Sequence, residues 1–385
     1  GIYGIYCQKL KISMKKIIFN NLLKEILLFF LISSLALTLI VWVIQAVNYL
    51  DIVTEDGHSF KIYFFFTLLS LPKIFSQTMP FIFFLSIFYI ISDFEDKNQL
   101  LIYWIHGINK LQIVNKIIQL SLLFLLVQII FSSIIIPYTQ DKSRSFIRNS
   151  NLDFFPNLIK PKKFIDTVKN LTIFIEKKNI DGSYNNILLK DNSQIIVAKK
   201  GGIVIENDKK KFVLENGKII KVNENGTSTS FNFKTTQFDL EGYSSKTIKT
   251  PKIQEIPTIH LIKCVNNLFK NTNTNIDIKN LKCNTSFLKN IYQELFKRIY
   301  LPIYIILLGL ISSLTILRSK NTRGYLFFRI KIFLTGIFFL IMSDILLNFT
   351  GNKTIYNLLF LIMPIFSFLL IYQILILKLN FKKQR

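Results

Sequence analysis

The sequence is poor in the residues that catalysis and metal binding draw on, with three His and three Cys in 385 residues. His58, His106 and His260 fall in separate segments, so no two share a metal ion through sequence proximity. There is no GxxxxGK phosphate loop followed by Ser or Thr, no HExxH and no GxSxG. No directly bound cofactor is expected, and work against a gradient must draw on a separate partner. Cys7, Cys264 and Cys283 make neither a CxxC pair nor the density of a disulfide scaffold. Cys264 and Cys283 would pair if both faced an oxidising compartment, but two free thiols are the plainer expectation. Acid is scarce as well: 23 Asp and Glu stand against 48 Lys and Arg, for a net charge of +25. The Lys is spread along the chain beside heavy Ile, Asn and Phe usage. The placement of charge therefore carries more than its sum, and no nucleic-acid partner is implied.

What the chain has in quantity is apolar: half of it is hydrophobic, with 37 Phe, a balance soluble domains seldom reach. It opens on Gly1, and Met14-Lys15-Lys16 reads as a natural start, so residues 1–13 are set aside as a non-native or upstream extension. At about 20 apolar residues per crossing, spans fit Ile26 to Tyr49, Tyr63 to Ile91, Val114 to Ile136, Ile299 to Leu317, Leu326 to Leu347 and Ile355 to Leu377. Pro72 and Pro80 interrupt the second, so residues 62–71 either lie along the interface or extend outward; Pro137 is expected to end the third.

Orientation follows from the short flanks. Lys15, Lys16 and Lys24 precede the first span, Arg318, Lys320 and Arg323 separate the fourth from the fifth, and Lys378, Lys382, Lys383 and Arg385 close the chain. Both termini are therefore expected in the cytoplasm. Asp51, Glu55 and Asp56 follow the first span, and the link at 351–354 carries only Lys353, which suits the other side.

The roughly 150 residues after Pro137 hold no run long enough to cross. Their period is strand-like, in Thr172 to Glu176, Ile195 to Ala198, Ile203 to Glu206, Phe212 to Glu215, Ile219 to Val222 and Ser230 to Lys234. Asp181-Gly182, Gly201-Gly202, Asn207-Asp208, Asn216-Gly217 and Asn225-Gly226 fall between these runs and read as turns. Such spacing predicts an antiparallel sandwich, jelly roll or open barrel. The expected organisation is an α-helical membrane protein of six transmembrane helices, three plus three. Residues 14–137 hold spans 1–3 with a cytoplasmic coupling loop at 92–116, and 138–250 form an inserted periplasmic all-β, jelly-roll-like domain. Residues 251–296 are a periplasmic linker with a helical return, and 297–385 hold spans 4–6.

Two places stand out functionally. In the cytoplasmic loop, Asp93, Glu95 and Asp96 precede the apolar run Leu100, Leu101, Tyr103, Trp104, Ile105, which His106-Gly107-Ile108 breaks. A short helix there either presses into a groove of a soluble partner as a lever or rests on headgroups; both readings stay open. Near the outward ends of the spans sit Lys73, Lys297, Arg298 and Asp344. Those cations either grip the phosphates of an anionic lipid or snorkel to headgroups, with Asp344 in a local ion pair.

The layout and the residues at its joints resemble the lipopolysaccharide export permeases of the LptF and LptG family, over about Ile18 to Leu377. Asn21-Leu22-Leu23-Lys24-Glu25 is similar to the family's Arg-Tyr-Leu-Leu-(Arg/Lys)-Glu opening. Gln99-Leu100 followed by Gly107-Ile108 matches its Glu-Leu, six residues, Gly-(Ile/Val)-Ser, with Gln99, Asn109 and Trp104 replacing the family's acid, Ser and Arg. Those replacements bear on a specific salt bridge to an ATPase, for which Asp93, Glu95 or Asp96 are the substitutes at hand. Glu294 to Pro302 is similar to the family's approach to its fourth span, and Arg318 to Gly324 resembles its Pro-Arg-x-Gly-Arg turn without the Pro. Lys163-Phe164, Thr172 to Glu176, Asp181-Gly182 and Leu214 to Gly217 are more similar to the F subunit than to the G subunit.

What the resemblance implies is a non-catalytic transport subunit of an ABC transporter in a bacterial inner membrane. It implies a second permease, a cytoplasmic LptB-like ATPase dimer that supplies ATP and Mg chemistry and docks on the loop, and lipopolysaccharide as cargo. LptC- and LptA-like jelly-roll proteins would continue the path towards the outer membrane. Two readings from other classes stand beside it: an envelope-lipid enzyme using His58 or His260 with Asp51 or Asp56 as acid and base, and an envelope scaffold.

Overall fold

The computed structural model describes residues 2–54, 59–149, 161–168, 171–179, 182–191, 194–206, 209–222, 228–239, 252–269, 277–278, 281–282, 288–351 and 354–381. Glu55, Asp56, His58, Asp181, Asn207-Asp208, Asn225-Gly226, Cys283, Lys353, Lys382, Lys383 and Arg385 lie outside them. The chain divides into a helical unit, 1–42 with 70–140 and 252–385, and a second unit, 43–69 with 141–251.

The helices are α1 Ile2–Asn48, α2 Asp51–Thr54, α3 Phe60–Leu68, α4 Leu71–Asp96, α5 Gln99–Ile105, α6 Lys110–Ile130 and α7 Ile136–Asn149 before the sheet. After it come α8 Thr258–Phe269, α9 Leu288–Ile299, α10 Tyr304–Ser313, α11 Tyr325–Phe349 and α12 Thr354–Phe381. Six stretches are long and apolar enough to cross a bilayer: Met14–Val53, Phe60–Asp96, Lys110–Ile147, Leu288–Leu317, Tyr325–Phe349 and Ile355–Leu379. Each expected span lies within one of them. Close approach between helices is set by small residues, as in membrane bundles generally. A Cβ on Gly309 of α10 would strike the Ser121 hydroxyl of α6, and one on Gly336 of α11 would strike the Phe84 ring of α4.

Pro72 interrupts the second stretch as expected, whereas Pro80 and Pro137 do not end their spans. Pro72 stands in the first turn of α4, where its missing N–H costs nothing, and α3 is a separate helix before it. Pro80 is accommodated inside α4. Pro137 does not end the third span: α7 continues to Asn149, into the stretch where the β domain was expected to begin at 138. A π-helical turn at Phe131–Ile135 prepares the way, with the Ile136 N–H bonded to the Phe131 carbonyl. Pro137 can offer no donor to the Ser133 carbonyl four residues back. The Thr258 hydroxyl supplies one, at 2.7 Å.

The second unit carries six strands, β1 Phe164–Val168, β2 Leu171–Lys178, β3 Tyr184–Asp191, β4 Gln194–Glu206, β5 Lys209–Val222 and β6 Ser228–Asp239. They pair antiparallel in chain order, as a meander. Its apolar side is built from Ile173, Ile175, Ile187, Leu189, Ile196 and Leu214, all buried, with neighbours. Gly182 stands at φ +81 between β2 and β3, with its N–H on the Asn179 carbonyl at 3.2 Å, where a turn was expected; Asp181 lies outside the described residues. Gly201-Gly202 and Asn216-Gly217 are not turns: they lie inside the long strands β4 and β5.

They belong to a crease. The register is constant on both sides of one row, Glu176, Asn186, Lys199, Asn216 and Lys234, whose ladder pairs are interrupted. Asn186 and Asn216 both stand at φ +51. Across the row the buried positions change parity, from Ile187 and Leu189 to Tyr184 in β3, and from Ile196 and Ala198 to Gly201 in β4. An in-phase irregularity of this kind keeps one side of a bent sheet apolar on both halves. Gly217 has no room for a side chain, since a Cβ would meet the Val197 carbonyl and the Phe233 ring.

A two-stranded piece pairs Asp277–Ile278 with Leu281–Lys282 in the return segment. Cys264, buried on α8, is disulfide-bonded, which overturns its expectation as a free thiol; the other half lies outside the residues whose side chains are described.

Candidate functional site

Both places singled out in the sequence belong to the helical unit. At the first, α4 gives way to α5 through Asn98 at φ +59. Helix α5 ends in a Schellman arrangement: Gly107 at φ +67, with Ile108 N–H on the Tyr103 carbonyl at 2.9 Å and Gly107 N–H on the Trp104 carbonyl at 3.0 Å. Leu100, Tyr103 and Ile108 are buried in the cluster that includes Leu22, Ile26, Phe94 and Ile316. The Tyr103 hydroxyl donates to the Ile18 carbonyl at 3.2 Å, and burial pushes that phenol up to about 12. The other face of the short helix is apolar and exposed, with Leu101 at 56%, Ile102 at 49% and Ile105 at 74%.

The surroundings pin this helix. Lys110 lies over the Trp104 ring, 5.3 Å from its centroid. It also donates to the Ile316 carbonyl at 2.8 Å, closing the end of the fourth span. Lys15 donates to the Gly107 carbonyl at 3.2 Å. Of the three acids, Asp93 pairs with Lys97 at 2.7 Å, an exchange that raises the Lys97 pKa through that hydrogen bond. Glu95 accepts from the Lys320 N–H at 2.9 Å. Asp96 pairs with Arg329 at 2.9 Å, and its carbonyl takes the Lys320 ammonium at 2.9 Å. The acids named as substitutes for a salt bridge to an ATPase are thus engaged within the chain. Sequence reading missed Lys110 and Arg329. The signal for Arg329 was its place inside an expected span, where a charge requires a partner.

At the second place, Lys73, Lys297 and Arg298 do come together, on a cavity of about 690 Å³ that Gln128, Gln254 and Asp344 also line. Arg298 is 2% exposed and its donors are committed: Glu294 at 2.9 Å, the Ile256 carbonyl at 2.8 Å, the Thr258 hydroxyl at 3.0 Å and the Gln254 carbonyl at 3.0 Å. It clamps the segment returning from the sheet onto α9. Lys73 donates to the Gln254 side chain at 3.2 Å. Among the described residues no ion pair joins Asp344 to a cation. His106 bonds its own helix, at the Ile102 carbonyl, 2.8 Å away. Among the described residues no group of three His, Cys, Asp or Glu is placed to hold a metal.

The family model for the lipopolysaccharide export system permease LptF/LptG matches residues 21–378, from α1 through the sheet to the last helix. The chain belongs to the LptF/LptG family. It is also 25% identical over 230 residues to Uncharacterized protein RP871 of Rickettsia prowazekii (strain Madrid E), covering 58% of this chain and 64% of that protein. The chain thus spans less than two thirds of that relative's length. Six apolar helices, each long enough to cross a bilayer, accord with a multi-pass membrane protein of that family.

Proposed function

We propose that the chain is the transmembrane subunit of an ABC transporter that extracts lipopolysaccharide from the inner membrane and passes it to a periplasmic β bridge. The observation that carries the reading is the pinned helix α5, whose free face is apolar. A helix anchored on spans 1, 3 and 4 and presenting Leu101, Ile102 and Ile105 suits a groove in a soluble ATPase, by helix-in-groove recognition. Movement imposed there would reach the fifth span through Asp96 and Arg329. In this reading the basic flanks lie in the cytoplasm and the sheet in the periplasm, which the disulfide at Cys264 supports. A second permease completes the cavity, and ATP-driven closure of the ATPase dimer moves lipid towards the apolar side of the sheet. Of the three cations, Lys297 is the one available to a lipid phosphate, while Arg298 is a positioning residue.

Co-expression with a P-loop ATPase and a second six-span permease tests this. The three should co-purify with lipid-stimulated ATPase activity, and Ile105→Glu should abolish association while the chain still inserts in the membrane. A chain that purifies alone, or an Ile105→Glu variant that associates normally, overturns the reading.

A further inference from the structure

We propose that the cavity between α4, α6, α9 and α11 is a site for a zwitterionic headgroup of the phosphoethanolamine type. Its charged lining consists of Lys73, Glu294, Lys297, Arg298 and Asp344. Glu294 and Arg298 neutralise each other, and Lys73 is held by Gln254. Among the described residues, the Lys297 ammonium and the Asp344 carboxylate have neither an ion-pair nor a hydrogen-bond partner, leaving one cation and one anion uncommitted on the same cavity.

A third group points the same way. Gln128 is buried, 6% exposed, and lines the cavity. Its amide donates to Ser76 at 2.8 and 2.9 Å, while its Oε1 is buried with no donor among the described residues. A buried acceptor of this kind needs a donor. The unsatisfied set is therefore one phosphate-binding cation and two acceptors for an ammonium. A phosphodiester bearing an ammonium satisfies all three groups, its phosphate on Lys297 and its ammonium on the Asp344 carboxylate and the Gln128 Oε1. Phe81, Leu301, Ile337 and Ile341 supply apolar wall for the attached chains. The site requires only that the chain sit in a bilayer, and holds whether or not it exports lipopolysaccharide.

Native mass spectrometry of the full chain in detergent tests this by counting retained lipid. Diacyl phosphatidylethanolamine should be retained about tenfold over diacyl phosphatidylglycerol. Lys297→Gln should lower phosphatidylethanolamine retention about fivefold or more, and Asp344→Asn should bring the ratio of the two lipids to about one. Reading a ratio on one variant keeps the result clear of any loss of fold, and thermal unfolding run in parallel checks Lys297→Gln. Two competitors identify the source: diacyl phosphatidylethanolamine, and a lipid A bearing phosphoethanolamine. Displacement by either supports the site. Equal retention of both lipids by the parent chain, an unchanged ratio in Asp344→Asn, or displacement by neither competitor overturns it.

Discussion

The Thr258 hydroxyl lies 2.7 Å from the Ser133 carbonyl, the one that Pro137 leaves without its helical donor. The same hydroxyl accepts from Arg298 at 3.0 Å, so one side chain both repairs the third span and receives the clamp from the fourth. Thr258→Val keeps the shape and removes both bonds. It should lower stability by about 1–3 kcal/mol, since a part-buried carbonyl and a buried guanidinium donor are each left unmet. Thermal unfolding of the purified chain measures this, with Thr258→Ser expected near the parent.

Asp96, at the end of α4, pairs with Arg329 on the fifth span, and in the proposed reading this pair passes movement from the loop to that span. The pair is partly exposed, at 49% and 23%, so its contribution to stability is small, about 0–1 kcal/mol. Arg329→Ala should leave unfolding almost unchanged while lowering export per ATP hydrolysed several-fold in the assembled complex. The ratio of lipid moved to phosphate released reads this directly, and an unchanged ratio assigns the pair to surface decoration.

Tyr103 ties α5 to α1 only while neutral. Its pKa is pushed up from 10.0 to about 12 by burial, so the fold favours the protonated phenol. The stability it contributes is complete below pH 10 and is lost as pH climbs towards about 12. Ionisation followed by ultraviolet absorbance should show this phenol among the late-titrating ones, and Tyr103→Phe should lower the late amplitude by one phenol.

The crease in the sheet depends on Gly217. Gly217→Ala should destabilise the second unit by about 1–3 kcal/mol, because the new methyl meets backbone on one side and an aromatic ring on the other. Limited proteolysis within 164–239 should accelerate, with the helical unit unaffected.

Much of this was legible in the sequence. The six spans followed from apolar length, and His106-Gly107-Ile108 was read as a helix break because Gly tolerates the left-handed conformation that ends α5. Pro137 was misread because its effect depends on Thr258, a donor 121 residues away that no local pattern reveals. Gly201-Gly202 and Asn216-Gly217 were misread because a crease and a hairpin need the same residues; only the register across β3, β4 and β5 separates them. At the cavity the three cations were found, but burial and pairing, which leave Lys297 open and commit Arg298, lie beyond sequence.

Whether lipid passes from the bundle to the sheet is the central question. A photoreactive residue at Ile187 or Leu214, on the apolar side of the sheet, placed in vesicles containing the ATPase and the second permease, answers it most directly. Lipopolysaccharide adducts that accumulate only while ATP is hydrolysed are the expected result. Adducts that form equally without ATP, or none at all while hydrolysis proceeds, would contradict the account.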